Sequence, residues 1–581
     1  MAKLSNELEF SSKVGSEIAA IEYGKEWPIV YIIYNDDEAY VGETVDASIR
    51  MTQHYDNPQR RKLKNVRIIA DEQFNKSAIL DLEAFLISHM AADARFKNLQ
   101  NGNAGHQRHN YYQKEMYESK FAGIWRSLQR NGLARKEIER IEDENLFKFS
   151  PYKTLTNDQY LAACHIIHGL VENIKNNKKN TYLVNGGPGT GKTVLAIYLM
   201  KLLTTDIDND LDSEDERLIE DLAKLRQIMP QPKIGIVVSM SNLRETLQDV
   251  FKSTYGLSAD MVKTPSNIAS CPDEFDILIV DEAHRLKAPR NMMGTEMSNI
   301  RNHNARLGLD RDTGTQLDWI LKKSKYQILF YDEFQSIKRT DIDKENFDKL
   351  KKTSDIFHLD TQMRCGKGGE AYIKYIREIF SDGSPEKYID FRDKSKGLDY
   401  DFQIFDDVRQ MTDLIKKKND ECGLCRNIAG YAWPWKTKNK VSPENEEQTE
   451  EVIKRGLYDI DIDGHKYIWN TKYLNWVGTR NSRNEIGCVH TIQGFDLNYA
   501  GVIIGNDLKY DKENDRLYID KKQYFDTNGK NKTSDKELRE FIFNIYAILC
   551  TRGIHGTYVY ACDEGLREYL KKYIKTYKPQ E

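Results

Sequence analysis

Cysteine is scarce in this chain, with 8 among 581 residues. So few scattered thiols exclude a secreted disulfide scaffold and point to a reducing compartment. Long apolar runs are missing too. No stretch approaches the ~20 residues that a membrane helix needs. The opening MAKLSNELEF has no apolar h-region of the kind a signal peptide carries. The expected location is therefore cytoplasmic, with no membrane partner. An excess of one charge is also absent: 86 Lys and Arg face 90 Asp and Glu, a net of −4. That excludes a general electrostatic affinity for nucleic acid, so any such surface must be a local groove.

What is present fits a globular protein with several cores: 39% apolar and 30% charged residues. The length suggests roughly three or four domains. Residues 1–26 read as a polar leader with one short helix. From Trp27, IVYIIYNDDEAYVGET reads as strand, turn and strand. Asp46 is placed to cap a helix through Ile49, Met51 and His54. A second helix is expected from Ser77 to Met90, with Ile79, Leu82 and Leu86 on one face. Residues 111–150 read as a helical connector. Beyond Leu155 the runs TYLVNG, KIGIVVSM, FDILIVDE, YQILFYDE and AGVIIG alternate with helical patterns. This alternation predicts parallel sheets wrapped by helices. The acidic or polar stretches 204–219 and 440–452 read as exposed insertions.

The clearest chemistry is NGGPGTGKT, Asn185 to Thr193, between a β run and a helical run. It satisfies the P-loop pattern in its strand–loop–helix context. Gly186, Gly187, Pro188, Gly189, Thr190 and Gly191 form a loop whose N–H groups can cradle phosphate, aided by the helix N-terminus. Lys192 is expected to reach the β- and γ-phosphates of ATP, and the Thr193 hydroxyl to ligate Mg²⁺. FDILIVDEAH supplies a strand ending in Asp281 and Glu282. Asp281 is the expected Mg²⁺ residue, and Glu282 is placed to activate the attacking water. His284 on its own carries little weight.

Residues 151–581 resemble superfamily 1 helicases, specifically the bacterial Schlafen-group-3-like DNA/RNA helicase domain. The resemblance is carried by LTNDQ, ILFYDEFQS, LDTQMRC, IGCVHTIQGFDL and AILCTRGIHGTYVY in collinear order, and by AGYAWPW at 429–435, which is typical of that group. It implies that Gln159 reads adenine, Gln335 senses the γ-phosphate and Arg364 reaches it from a second lobe. It further implies that Thr491, Gln493 and Gly494 couple nucleotide to strand, and that Arg552 is an arginine finger. Tyr331, Glu333 and His284 depart from the usual pattern. The implied fold is α/β: two RecA-like parallel-sheet lobes, 151–360 and 361–581. A small α+β domain at 27–110 precedes them.

That small domain resembles the GIY-YIG nuclease fold, through Ile29-Val30-Tyr31 and Tyr40-Val41-Gly42. The first signature has Ile29 in place of glycine. Arg50 and His54 lie one helical turn apart, and Asn98 or Asn101 follows later. The resemblance implies one-metal phosphodiester cleavage, with Glu83 holding Mg²⁺ or Mn²⁺ and Arg50 stabilising developing charge. Tyr31 would handle the nucleophile's proton, with Tyr40 and His54 assisting. Glu43 beside the second signature would repel phosphate. The basic run Gln59–Lys64 reads as phosphate contact or as solvated surface. Cys422 and Cys425 form one CxxC with no second pair at finger spacing, and read as incidental thiols.

Together these readings describe an ATP-dependent nucleic-acid motor, helicase or translocase, with a metal-dependent endonuclease head. Single-stranded or forked DNA is the favoured partner and RNA remains open. Such a fusion suits DNA processing or phage defence, by analogy. Two alternatives stay in play: an ATP-switched nucleic-acid sensor with an inactive head, and an RNA-targeting effector.

Overall fold

The structure is a computed structural model. It describes residues 2–579 apart from 102–110, 154, 205–215, 290–291, 293, 333–340, 343, 363–367, 382, 439, 442–445, 473–475, 493–494, 527–529 and 531–533. Gln335, Arg364, Gln493 and Gly494 lie outside the described residues, as does most of the acidic stretch 204–219.

The N-terminal sheet has six strands: β1 (Lys3–Leu4), β2 (Leu8–Glu9), β3 (Ile29–Tyr34), β4 (Glu38–Thr44), β5 (Asn65–Ala70) and β6 (Asn98–Leu99). Their order is β1-β5-β3-β4-β6, with β2 also on β5. Strand side chains alternate between faces. Val30 and Ile32 pack with Ile79, Leu82 and Leu86 of helix Lys76–Asp93, whereas Ile29, Tyr31 and Ile33 pack with Ala47 and Met51 of helix Ala47–Asp56. Asp46 caps the latter helix by accepting the Ile49 N–H at 3.1 Å. Two expected boundaries differ from those observed. The leader joins the sheet, because Phe10, Val14 and Ile18 are buried beneath it. The connector joins the core as well. Its helix Lys114–Arg130 buries Phe121 and Trp125 against the helix carrying Glu83. Asp93 fixes the chain beyond it by accepting the Arg135 and Lys136 N–H groups.

The second sheet is entirely parallel. Its strands are β7 (Asn180–Gly186), β8 (Ile234–Val238), β9 (Val262–Lys263), β10 (Phe275–Asp281), β11 (Ser324–Tyr331) and β12 (Asp355–Leu359). They run in the order β12-β7-β11-β10-β8-β9. Four of the five apolar runs form its central strands. Continuous apolar sequence suits strands covered on both faces. The register aligns Tyr331 with Asn185 and Asp281 with Val238, so the P-loop, Asp281 and Asp332 leave the sheet along one carboxyl edge. That edge is where ligands of open α/β sheets bind.

The third sheet is parallel too. It contains β13 (Asp401–Ile404), β14 (Arg426–Ala429), β17 (Ile486–Cys488), β18 (Leu497–Ile504), β21 (Gly553–Ala561) and β22 (Lys575–Thr576). Their order is β17-β14-β18-β21-β13-β22. Two antiparallel pairs project from it: β15 (Ile460–Ile462) with β16 (His465–Tyr467), and β19 (Leu508–Asp511) with β20 (Arg516–Ile519). The mixed α/β class with two parallel sheets is as expected.

The AGYAWPW segment has a packing role here. A side chain at Gly430 would place Cβ 2.5 Å from the Tyr546 hydroxyl, so only glycine fits. Tyr546 donates to Asp507 at 2.5 Å and accepts the Gly505 N–H at 3.0 Å. Tyr431 and Trp433 pack on Trp469. Burial lifts the Asp507 carboxyl from 3.8 to about 7, and the Tyr546 bond opposes that rise. Between those values the folded state binds the proton more tightly than the unfolded chain. Stability from this group is complete below about 4 and is lost as pH rises through 7. Asp507→Asn is expected to flatten the difference in melting temperature across that window and to melt higher than the wild type at pH 8. Parallel melting curves for both proteins would count against this account.

Candidate functional site

The P-loop runs from β7 into helix Lys192–Thr204. Gly189 and Gly191 adopt φ of 82° and 72°, a region open to glycine at little cost. Lys192 is buried, and its Nζ donates to the Gly186 carbonyl at 2.7 Å and the Gly187 carbonyl at 3.0 Å. It lies 3.9 Å from the Asp332 carboxylate. Thr190 closes the loop by donating to the Gly187 carbonyl. Two glutamines fasten the loop from outside. Gln159 Nε2 donates to the Thr190 carbonyl at 2.7 Å, and Gln362 Nε2 to the Pro188 carbonyl at 2.7 Å. The other end of the Gln159 amide accepts the Thr156 N–H in a capping box. The Gln159 amide is thus anchored at both ends beside the loop. Its neighbour Asp158, unmarked by the sequence patterns, accepts the N–H groups of Asp360 and Thr361, both at 2.9 Å. This latch holds the start of LDTQMRC against the loop.

Thr193 Oγ1 donates to Asp281 Oδ2 at 2.8 Å. A hydroxyl and a carboxylate side by side are hard oxygen donors, and with a phosphate opposite they fit Mg²⁺. When bound, such an ion would supply positive charge against the phosphates. Burial, then the Glu282 carboxylate, push Asp281 above the usual carboxylate range, against the pull of Thr193 and Lys192. Glu282 goes the other way. Burial alone would raise it, but the Nε2–H edge of the adjacent His284, then Lys192, hold it low. Its backbone sits at φ 52°, ψ 48°. For a non-glycine residue that conformation costs about 1–3 kcal/mol and clusters at functional sites.

His284 is more than the sequence indicated. Its Nδ1 accepts the Asp332 N–H at 3.1 Å, which puts the proton of the neutral ring on Nε2. Nε2 lies 3.0 Å from Glu282 Oε2, short of an aligned hydrogen bond. The imidazole thus sits between the ends of β10 and β11. No pattern in the sequence marks this, because the partner is a backbone group 48 residues away.

A cavity of about 810 Å³ opens beside these residues. Gly191, Lys192, Thr193 and Glu282 line one wall, and Asn498, Arg552 and His555 line another. The second sheet presents carboxyl ends of its strands, while the third presents amino ends of β18 and β21. Arg552 is buried, just ahead of β21. Leu497 donates its N–H to the Arg552 carbonyl and so ties the two strand starts together. A further wall comes from Glu142, Glu144, Phe147 and Phe149 of the expected connector. Thr491 is fully buried, and its hydroxyl donates to the Cys488 carbonyl at 2.9 Å. It serves its own turn here.

In the N-terminal sheet the structure brings together Tyr31, Tyr40 and His54 on one face. Tyr31 Oη and His54 Nε2 are 2.6 Å apart, and the Tyr40 and His54 rings are 5.0 Å apart. Arg60 joins them. Its guanidinium lies 3.3 Å over the Tyr40 ring and 3.2 Å from His54 Nδ1. A guanidinium only donates, so Nδ1 accepts and Nε2–H points to Tyr31. Within the basic run, then, Arg60 is a buried part of this cluster. Gly42 is required because a Cβ there would lie 2.3 Å from the Tyr31 hydroxyl, whereas Ile29 is core. Glu43 pairs with Lys76 at 2.5 Å, which sets a cation against the carboxylate expected to repel phosphate. Glu83 is buried on helix Lys76–Asp93, and Arg50 is half-buried near Gln53. Asn101 bonds both ways with the Val41 backbone. Cys422 and Cys425 sulfurs are 3.6 Å apart. Among the described residues no group of three or more His, Cys, Asp or Glu side chains could hold a metal, and no helix is long and apolar enough to cross a membrane.

A P-loop on a parallel sheet, facing a second parallel sheet that supplies a buried arginine, defines a two-lobed P-loop NTPase of RecA-like type. The chain belongs to the family described as Schlafen group 3, DNA/RNA helicase domain, whose model matches residues 179–563. A relative from Saccharomyces cerevisiae (strain ATCC 204508 / S288c), the uncharacterized protein YPL245W, is 26% identical over 428 residues, covering 67% of this chain and 83% of its own. Among solved structures, Bacteroides Pif1 helicase in complex with ADP-AlF3 and ssDNA is 10% identical and covers 71% of this chain and 94% of its own, with a TM-score of 0.26. Arterivirus nonstructural protein 10 (helicase) with DNA is 11% identical and covers 69% and 65%, with a TM-score of 0.27. At those scores neither likeness bears on function.

Proposed function

We propose that this protein is an ATP-driven nucleic-acid motor whose N-terminal domain is a metal-dependent endonuclease of GIY-YIG type. The observation that carries the motor is the shared cleft, where Lys192, Thr193 and Glu282 face Arg552 from another sheet. Arginine from a second lobe can neutralise charge developing on the transferred phosphoryl only when the lobes close. ATP binding and product release then favour different lobe positions, and that difference in affinity is what moves a motor. A strand held across both lobes should bias the same equilibrium. ATP turnover is accordingly expected to rise on adding single-stranded DNA or RNA. A rate indifferent to both polymers would count heavily against the motor.

For the head, the supporting observation is the buried Tyr31–His54–Arg60 chain beside Tyr40. A histidine donating to Tyr31 fixes the orientation of the phenol and leaves its oxygen as the acceptor in that bond. Glu83 is the proposed metal residue, with Mg²⁺ or Mn²⁺ completed by water and phosphate. Plasmid nicking in Mg²⁺ or Mn²⁺ is expected from the wild type and not from Glu83→Ala. Nicking by neither would make the head a binding module, and equal nicking by both would remove Glu83 from the reaction. DNA processing or defence is the proposed setting.

A further inference from the structure

The helix Gly369–Ile379 belongs to the second lobe: Tyr372, Ile373, Ile376 and Ile379 are buried in its core. Tyr372 donates to the Cys550 carbonyl at 2.8 Å, two residues before Arg552. The helix and the Arg552 turn are thereby one mechanical unit. Arg377 on this helix is half-buried. Its Nη2 lies 3.8 Å from the point a Cβ of Gly187 would occupy. The Gly187 carbonyl is also one of the two that hold Lys192 Nζ. Two cationic heads from two lobes thus flank one residue of the phosphate loop. The Asp332 carboxylate is 3.9 Å from Lys192, and its field acts on Arg377 as well.

We infer that Arg377 is an additional nucleotide-contacting residue that touches the terminal phosphate of a nucleoside triphosphate from the second lobe. The inference rests on the ATPase reading of the same cleft. The chemistry is that of an anion site. A phosphate oxygen entering at Gly187 meets a forked guanidinium and an ammonium, and takes over the role that Asp332 plays toward Lys192. Arg552 lines the cavity beside Glu282, while Arg377 approaches the loop at Gly187. A diphosphate lacks the group that Arg377 addresses, so the residue discriminates triphosphate from diphosphate. It also makes closure of the lobes sensitive to which one is bound.

The test is titration calorimetry of the full-length protein with ADP and with a slowly hydrolysed ATP analogue, in Mg²⁺. Arg377→Gln is expected to weaken the analogue by about 10- to 100-fold, the scale of a charge-assisted hydrogen bond, with ADP affinity held within about two-fold. Arg377→Lys keeps the charge and loses the fork, so a smaller loss confined to the analogue is expected. That variant serves if Arg377→Gln fails to fold. Equal weakening of both nucleotides, or of neither, overturns the assignment. A wild type that binds neither nucleotide would instead overturn the ATPase reading.

Discussion

Lys192→Ala is expected to lower ATP turnover by at least about 100-fold, the scale set by removing one preorganised charge from a site where negative charge develops. The amine is already aimed by the Gly186 and Gly187 carbonyls, so binding phosphate costs little reorganisation. Alanine removes the cation from a pocket that also holds Asp281 and Asp332, which disfavours an incoming triphosphate further. The loop itself should survive, because Gln159, Gln362 and the Thr193–Asp281 bond fasten it independently. An unchanged melting profile should therefore accompany the loss. Lys192→Arg is not a rescue, since a planar fork cannot take the place of a compact ammonium between two carbonyls. Phosphate release at saturating Mg-ATP measures the effect. Turnover above about a tenth of wild type would exclude Lys192 from the chemistry.

The phosphate loop could be found in the sequence because its chemistry is local. Glycines, lysine and threonine must be consecutive to wrap a phosphate, and a strand and helix must flank them. The parallel sheets were legible for a similar reason. Strands covered on both faces are continuously apolar, so ILIV and ILFY announce themselves. Asp46 as a helix cap was likewise a matter of adjacent residues. What stayed hidden depends on pairs far apart in the chain. Arg60 looks like one of several surface cations until packing lays it over Tyr40. His284 gains meaning only through the Asp332 N–H, and Asp158 only through the backbone at 360–361. The leader and connector were misplaced for a related reason. Their apolar residues are spaced too sparsely to predict a core on their own, yet Phe10, Val14, Phe121 and Trp125 each complete a core begun elsewhere.

Arg552→Ala is expected to cut turnover by about 10³- to 10⁵-fold, the range for an arginine that meets phosphoryl charge from outside the nucleotide-binding lobe. Binding should be far less affected. The loop, Lys192 and Thr193 all remain on the first lobe, and Arg552 faces them across the cleft. The residue is 2% exposed, and its carbonyl is held by the Leu497 N–H. The backbone geometry that positions it is thus independent of its side chain. The consequence reaches beyond rate. If a nucleic-acid strand speeds hydrolysis by closing the lobes, it does so by delivering Arg552 to the phosphate. A protein lacking that side chain should close on the strand without gaining from it, so its basal and polymer-stimulated rates converge. Steady-state turnover with and without single-stranded DNA, set beside nucleotide affinity, separates the outcomes. A rate within about three-fold of wild type, or a loss confined to KM, would remove Arg552 from the reaction and leave the second lobe a passive wall.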